Sequence, residues 1–315
     1  MRHLGIYVDH TMTSPLAMAK HSAKIKRLAI DIAGRGVLLV STCLRVEIYG
    51  EEIAVRNLVG TVFSNFSYKK VEGSIAITQR LAEIASGAHS QILGENFICD
   101  QLAKAASILD SNRPIYQIVQ LAIDVGRASR ERQRFIASFN YDQIVRDIIA
   151  DRFQAGEVRD RLYMIGAGML GRELIRSGVG EPFRSTVVVT RKPKNLRRRL
   201  RPWTDIEFSL MRPAEMGSAR EPRSIVLIAT SDVNNEYEAI LRNALLQLEP
   251  RAIVDLSSIP VLSSVGVRGL DYVTMYDKEF LAFIDRNNEG LASQVPALCS
   301  DIANSLRTMQ IHPSD

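Results

Sequence analysis

Apolar residues open the chain from Leu4 to Val8 and then give way to Asp9-His10-Thr11-Met12-Thr13-Ser14, so a short strand is expected first. Ser14 is a good helix N-cap and Pro15 suits a first helical position, which predicts a helix from there to about Ile32, broken by Gly34-Arg35-Gly36. Val37 to Cys43 is continuously apolar enough for a buried strand, and Val46-Glu47-Ile48-Tyr49 continues extended with alternation. Helical periodicity then governs residues 55–65, 75–85 and 96–151, with an interruption at Asn112-Arg113-Pro114.

The second half has a different rhythm. Short apolar runs at 162–165, 186–190, 224–230 and 252–256 alternate with helical or polar stretches, as in a doubly wound parallel sheet. Residues from Tyr276 to Leu306 return to helical periodicity. The expected fold class is therefore α/β: an N-terminal α/β catalytic and substrate-recognition domain (1–150), a Rossmann-like nucleotide domain (151–272) and a helical C-terminal segment (273–315).

Composition narrows this picture a little. With 46% hydrophobic residues the chain can bury a core, which excludes global disorder. No apolar run approaches the ~20 residues of a membrane span, and the first residues lack a signal peptide's apolar stretch. Cys43, Cys99 and Cys299 have no metal-ligand spacing and cannot all pair, so a reducing cytoplasm and no metal are expected. Forty Lys and Arg against thirty-five Asp and Glu leave a net charge of +5, which tilts toward a polyanion such as tRNA or a phosphorylated cofactor.

Two places carry candidate chemistry. Gly166-Ala167-Gly168-Met169-Leu170-Gly171 directly follows the strand at 162–165 and opens a helix. In that context the first glycine permits a tight turn, the second lets backbone approach a pyrophosphate, and the third lets helix pack on sheet. The alternative is a glycine turn with no ligand. After the next strand stand Thr190-Arg191-Lys192 and Lys194 rather than an acidic residue, which suits a ribose 2′-phosphate and so NADPH over NADH. Arg197, Arg198, Arg199 and Arg201 read either as a solvated helix face or as a tRNA or phosphate contact. The other place is Cys43, two residues before Arg45 at the end of a strand. It is either an inert buried thiol or a nucleophile whose thiolate the guanidinium favours. A nucleophilic cysteine beside a nicotinamide fold would mean thioester reduction to an aldehyde.

The residues around Cys43 resemble a known family. Ser41-Thr42-Cys43-Leu44-Arg45-Val46-Glu47-Ile48-Tyr49 is similar to the Ser-Thr-Cys-Asn-Arg-x-Glu-x-Tyr signature of glutamyl-tRNA reductases. Ser86-Gly87-Ala88-His89-Ser90-Gln91-Ile92-Leu93-Gly94-Glu95 resembles that family's Ser-Gly-Leu-Asp-Ser-Met-Val-Leu-Gly-Glu, continued by Ile98 and Gln101. Thr13-Ser14-Pro15, the glycine loop, Thr190-Arg191-Lys192, Ala229-Thr230-Ser231 and Asp255-Leu256 follow in the family's order. The resemblance implies NADPH-dependent reduction of glutamyl-tRNA to glutamate-1-semialdehyde, for 5-aminolevulinate and tetrapyrrole synthesis, with an aminomutase as candidate recipient of the aldehyde. It makes Cys43 the nucleophile and Arg45 the partner of the substrate γ-carboxylate. Thr42, Ser90, Glu95 and Ser138 would line the pocket, and the glycine loop, Thr190, Arg191, Lys192, Ala229 and Thr230 would hold the cofactor.

The departures point at altered chemistry. Leu44 replaces the signature Asn, and Arg80 stands where the family carries its proton-donating His. An arginine is no general acid at neutral pH, though it can stabilise an oxyanion or pair with an acidic substrate group. His89 occupies the family's Asp position and is either a surface residue or a substitute acid. Arg130-Glu131-Arg132-Gln133 replaces Arg-Thr-Glu-Thr. Only the first helix of the family's dimerisation region fits residues 273–315, so its usual dimer is not expected. Two rivals stay open: a divergent paralogue acting on another aminoacyl-tRNA or acyl thioester, and a non-catalytic tRNA- or nucleotide-binding homologue.

Overall fold

The structure, a computed structural model, describes residues 2–154, 157–191, 193, 196, 207–216, 218, 220–230, 234–262 and 269–311. It forms two compact units, one running to Ser138 and resuming at Ile284, the other spanning Phe139–Phe283.

Unit 1 is built on an antiparallel sheet of β1 (His3–Asp9), β2 (Leu38–Thr42), β3 (Arg45–Glu51) and β4 (Lys69–Glu72), in the order β2-β3-β1-β4. Strand alternation sends Val37 and Leu39 to one face and Leu38 and Val40 to the other, and both faces are covered. Helices α1 (Pro15–Ile25), α2 (Ala29–Gly34) and α3 (Glu52–Phe63) bury Met18, Ile25, Ile32, Leu58 and Phe63 with the first face. Ser14 does cap α1, its hydroxyl accepting from the Ala17 amide at 3.4 Å. The single helix expected to Ile32 is instead interrupted by a 3-10 turn at Lys26–Leu28, where Leu28 leaves helical geometry (φ −92°, ψ 3°).

The second face carries α4 (Ser74–Ala85), α5 (Phe97–Ala106) and α6 (Pro114–Arg132). A Cβ at Gly126 of α6 would meet the Ala82 carbonyl at 2.5 Å, so only glycine allows α6 this close to α4. Leu298, Ile302 and Leu306 of the last helix, α11 (Val295–Ile311), bury into the same core.

Unit 2 is a parallel sheet of β5 (Arg161–Ile165), β6 (Ser185–Val189), β7 (Ser209–Met211), β8 (Ile225–Ile228), β9 (Ala252–Asp255) and β10 (Tyr272–Thr274). Its order, β10-β9-β8-β5-β6-β7, reverses direction between β5 and β8, the switch point at which doubly wound sheets bind nucleotides. Helices α7 (Tyr141–Ala150), α8 (Met169–Arg176), α9 (Asn235–Leu248) and the start of α10 (Lys278–Ala292) belong to this unit. The α/β fold with a Rossmann-like parallel sheet is thus the one the sequence pattern predicts. Among the described residues no helix is long and apolar enough to cross a membrane, and no cluster of three metal-ligating side chains occurs.

Candidate functional site

Cys43 and Leu44 make the turn between β2 and β3. The Leu44 amide donates to the Thr42 hydroxyl at 3.2 Å, and the Leu44 carbonyl accepts from the His10 amide at 2.8 Å, which ties the turn to the end of β1. The half-buried Cys43 thiol is pushed up by burial, with Glu95 adding to the shift. Arg45 and Lys26 pull the other way and lose. Of the two readings of Cys43, burial favours the protonated thiol, because desolvation outweighs the guanidinium.

Arg45 begins β3 and is only 2% exposed. Its Nη2 donates to the His89 carbonyl, and its Nη1 lies 3.6 Å from Glu47 Oε1. Nε and Nη1 are buried and make no hydrogen bond. A guanidinium with two unused donors in the interior is costly unless an acceptor joins it.

Glu47, fully buried on the same strand, is occupied by a different arginine. Arg80 of α4 donates to it twice, Nη2 to Oε1 at 2.8 Å and Nε to Oε2 at 3.0 Å, and the Tyr49 hydroxyl joins them. Arg80 also lies over the Tyr7 ring at 3.3 Å from its centroid and 3.6 Å from Asp9. Burial opposes the Arg80 charge, but Glu47 and Tyr49 outweigh it and hold the guanidinium above its ordinary value. Arg80 is thus locked into a planar fork on Glu47, an acceptor that reading Arg80 alone did not reveal.

The segment after α4 forms the other wall. Ser90 donates to Glu95 Oε1 at 3.0 Å, and Glu95 accepts from the Phe97 and Ile98 amides, so it caps α5. Burial pushes the Glu95 carboxyl up. Gly94 (φ +71°) is required, since a Cβ there would meet Ala137 N and Phe135 O at 2.9 Å. Buried Arg130 clasps the same loop through the Gly94 and Glu95 carbonyls and Asn96. Arg130 is therefore a scaffold residue, and its neighbour Arg132 pairs with Asp301 at 2.7 Å. His89 Nε2 lies 3.1 Å from Glu83 Oε2, and Glu83 also accepts from Gln79 at 2.9 Å. Ser138 is exposed at the end of the unit's first stretch.

In unit 2 the glycine loop connects β5 to α8. Gly166 has φ +97°, and a Cβ there would meet the Ala229 carbonyl at 2.7 Å and Thr230 at 2.9 Å. The loop is thereby held against Ala229 and Thr230 after β8. A Cβ on Gly171 would meet the Gly166 carbonyl at 2.4 Å, so α8 packs tightly on the turn. Gly168, the N-cap of α8, has open space where its Cβ would be. Ala167 and Leu170 are partly buried and Met169 is exposed along this turn. Thr190 follows β6 and bonds the Met211 carbonyl through its amide at 2.9 Å, while Arg191 stacks at 5.1 Å on the buried Tyr237 ring. Lys192, Lys194, Arg197, Arg198, Arg199, Arg201 and Ser231 lie outside the described residues. A tight turn, an open glycine at a helix N-terminus and an arginine past β6 fit a dinucleotide.

Residues 8–132 match the family described as Glutamyl-tRNAGlu reductase, N-terminal domain. The glutamyl-tRNA reductase of Methanopyrus kandleri is 24% identical over 288 residues, 87% of this chain and 69% of that protein. Residues 8–132 thus carry the N-terminal domain of the glutamyl-tRNA reductase family. Protein nfe2 of Rhizobium meliloti is 54% identical over 303 residues, covering 96% of this chain and 97% of that protein. A solved structure of the Methanopyrus kandleri reductase aligns with 98% of this chain and 80% of its own, at TM-score 0.49 and 18% identity.

In this domain the signature residues Thr42, Cys43, Arg45, Glu47 and Tyr49 occupy one hairpin. Glu47 and Tyr49 serve the fork on Arg80, while Cys43 and Arg45 donate nothing to it. Asp9, Glu47 and Glu83 were missed as parts of the site. The strand register, Asp9 opposite Arg45 and Tyr7 opposite Glu47, is what brings the first two in.

Proposed function

We propose that this protein is a glutamyl-tRNA reductase-like enzyme that reduces an aminoacyl-tRNA to an aminoaldehyde through a thioester on Cys43. The observation that carries the reading is Arg45: a buried guanidinium with two unused donors, two residues from a half-buried thiol. A substrate carboxylate would complete it with a charge-assisted pair, which favours glutamyl-tRNA and glutamate-1-semialdehyde as product. Cys43 would attack the ester carbonyl and release the tRNA. Thr42 holds the turn that presents the sulfur, and Ser90 and Glu95 form the wall beside it. NADPH would supply the hydride that converts the thioester to an aldehyde. Gly166, Gly168, Gly171, Ala229 and Thr230 would seat its pyrophosphate, with Thr190, Arg191 and Lys192 on the 2′-phosphate. The setting would be the cytoplasm, the downstream partner an aminomutase, and the pathway that of 5-aminolevulinate and porphyrins.

A second reading keeps the chemistry and changes the acyl group. Leu44 beside the nucleophile and the Arg80–Glu47 fork both depart from the family pattern, which favours a paralogue for another aminoacyl-tRNA or acyl thioester. Purified protein with NADPH and a panel of charged tRNAs tests the two. Aldehyde formed from glutamyl-tRNA supports the first; turnover only with another charged tRNA rejects it. No turnover with any member rejects both.

A further inference from the structure

The loop of residues 86–96, between α4 and α5, contains no strand or helix of its own. Its ends are fastened: the Gly94 amide donates to the Gly87 carbonyl at 3.2 Å, and Arg130 holds the carbonyls of Gly94 and Glu95. Between these points the Gln91 carbonyl and the Leu93 amide find no backbone partner among the described residues. Backbone polar groups away from water need partners from elsewhere. Here α10 supplies both. The Asn288 side chain donates Nδ2 to the Gln91 carbonyl at 2.7 Å, and its Oδ1 accepts from the Leu93 amide at 3.1 Å.

Asn288 stands on the inward stripe of α10. Ile284 and Leu291, four residues before it and three after, are both buried. A polar residue on such a stripe is costly unless it is fully matched, and a side-chain amide carries one acceptor and the donors to match a carbonyl and an amide together. Asn288 and the loop both belong to unit 1.

We propose that Asn288 is a positioning residue of the site: by clamping this loop it aims the Arg45 guanidinium at the substrate carboxylate and so sets the preference for an acidic side chain. This rests on the reading above, that Arg45 takes that carboxylate. The link is two residues long. The His89 carbonyl, two positions before Gln91, accepts from Nη2 of Arg45. The loop therefore decides where the unused donors, Nε and Nη1, point. A guanidinium is a planar fork, so a small rotation loses a two-pronged pair with a carboxylate. Ser90 and Glu95, bonded to each other at 3.0 Å, ride on the same loop. Asn288 acts through Arg45 and not on the substrate itself.

The test follows acylation of Cys43 by mass spectrometry in the full chain without NADPH. The donors are glutamyl-tRNA and glutaminyl-tRNA, whose γ-amide is the neutral isostere of the carboxylate. Asn288→Leu removes both clamping bonds at similar size, and Asn288→Asp keeps the acceptor for Leu93 but loses the donor for Gln91. Each should lower the glutamyl-to-glutaminyl rate ratio about tenfold. The melting temperature should stay near that of the wild type, because Gly87 and Arg130 still fasten the loop. A merely structural role would slow both donors alike, so equal slowing, or an unchanged ratio, overturns the proposal. Glutarate supplies a readout that needs no thioester. A ligand of the folded state raises the melting temperature, so glutarate should raise that of the wild type more than the neutral glutaramide does, and N288L should lose the difference. That loss, with wild-type Cys43 left unacylated, rejects the thioester and spares Asn288. Acylation of the wild type with an unchanged ratio in N288L rejects Asn288 and spares the thioester. With neither acylation nor a glutarate effect in the wild type, the carboxylate site falls and the role of Asn288 with it.

Discussion

In unit 1 the candidate site is made of charged side chains inside an antiparallel sheet, whereas in unit 2 it is made of backbone at the ends of parallel strands. Arg45, Glu47 and Arg80 depend on one another: two guanidinium groups meet one buried carboxylate, and the one with the better fork leaves the other with unused donors. The glycine turn depends on space and, at Gly166, on a positive φ, both of which come from the absence of a Cβ. A side-chain site can lose its partners with one substitution, since each charge is satisfied by another. A backbone site tolerates changes beside it but not on the glycines.

Breaking the ion network should produce the largest effect. Glu47→Ala leaves Arg45 and Arg80 without their buried carboxylate and should destabilise unit 1 by about 3–5 kcal/mol, read from urea unfolding. A loss below about 1 kcal/mol would mean that water replaces the carboxylate.

The glycines come next. Gly166→Ala places a side chain at φ +97° against the Ala229 carbonyl and should cost about 1–3 kcal/mol. Gly168→Ala points into open space, so it should leave the melting temperature unchanged and weaken NADPH binding, measured by nicotinamide fluorescence. Equal melting losses in both variants would remove the distinction between a packed glycine and a ligand-facing one.

Arg191→Glu should weaken NADPH by about 1.5–3 kcal/mol more than NADH. Equal weakening would reject the 2′-phosphate assignment.

The smallest effect is a difference in acid sensitivity. Asp9, Glu83 and His10 in unit 1 have pKa values below their ordinary ones. The unfolded chain therefore takes up protons first, and stability falls as pH drops below about 6.5 for His10 and below about 4.5 for the carboxylates. Glu95, held up by burial, offsets part of this. Asp255 in unit 2 is also raised by burial, so its contribution runs the other way, favouring the fold in acid. Hydrogen exchange across that range should show unit 1 loosening first; simultaneous loosening would contradict the assigned directions.

Much of the fold was legible because its elements bury periodic faces. β2, β5, β8 and β9 are apolar runs, and α4 and α6 carry helical stripes. β4 was missed because Lys69-Lys70-Val71-Glu72 has no apolar alternation; it pairs with β1 through backbone at the sheet edge. β7 and β10 have three residues each, too short for a period to register. In the site, Cys43 and Arg45 could be read from spacing, since a hairpin turn keeps neighbours together. The Arg80–Glu47 fork joins residues 33 apart and depends on strand register, as does the approach of Asp9. The choice between thiol and thiolate at Cys43 was not legible for a related reason, since burial is a property of the packed state.

The most direct measurement is intact and peptide mass spectrometry after incubation with glutamyl-tRNA in the absence of NADPH. An adduct of one glutamyl group on Cys43, absent in Cys43→Ser, is the predicted result. An unmodified Cys43 under conditions where the tRNA stays charged would contradict the thioester, and with it the role given to Arg45.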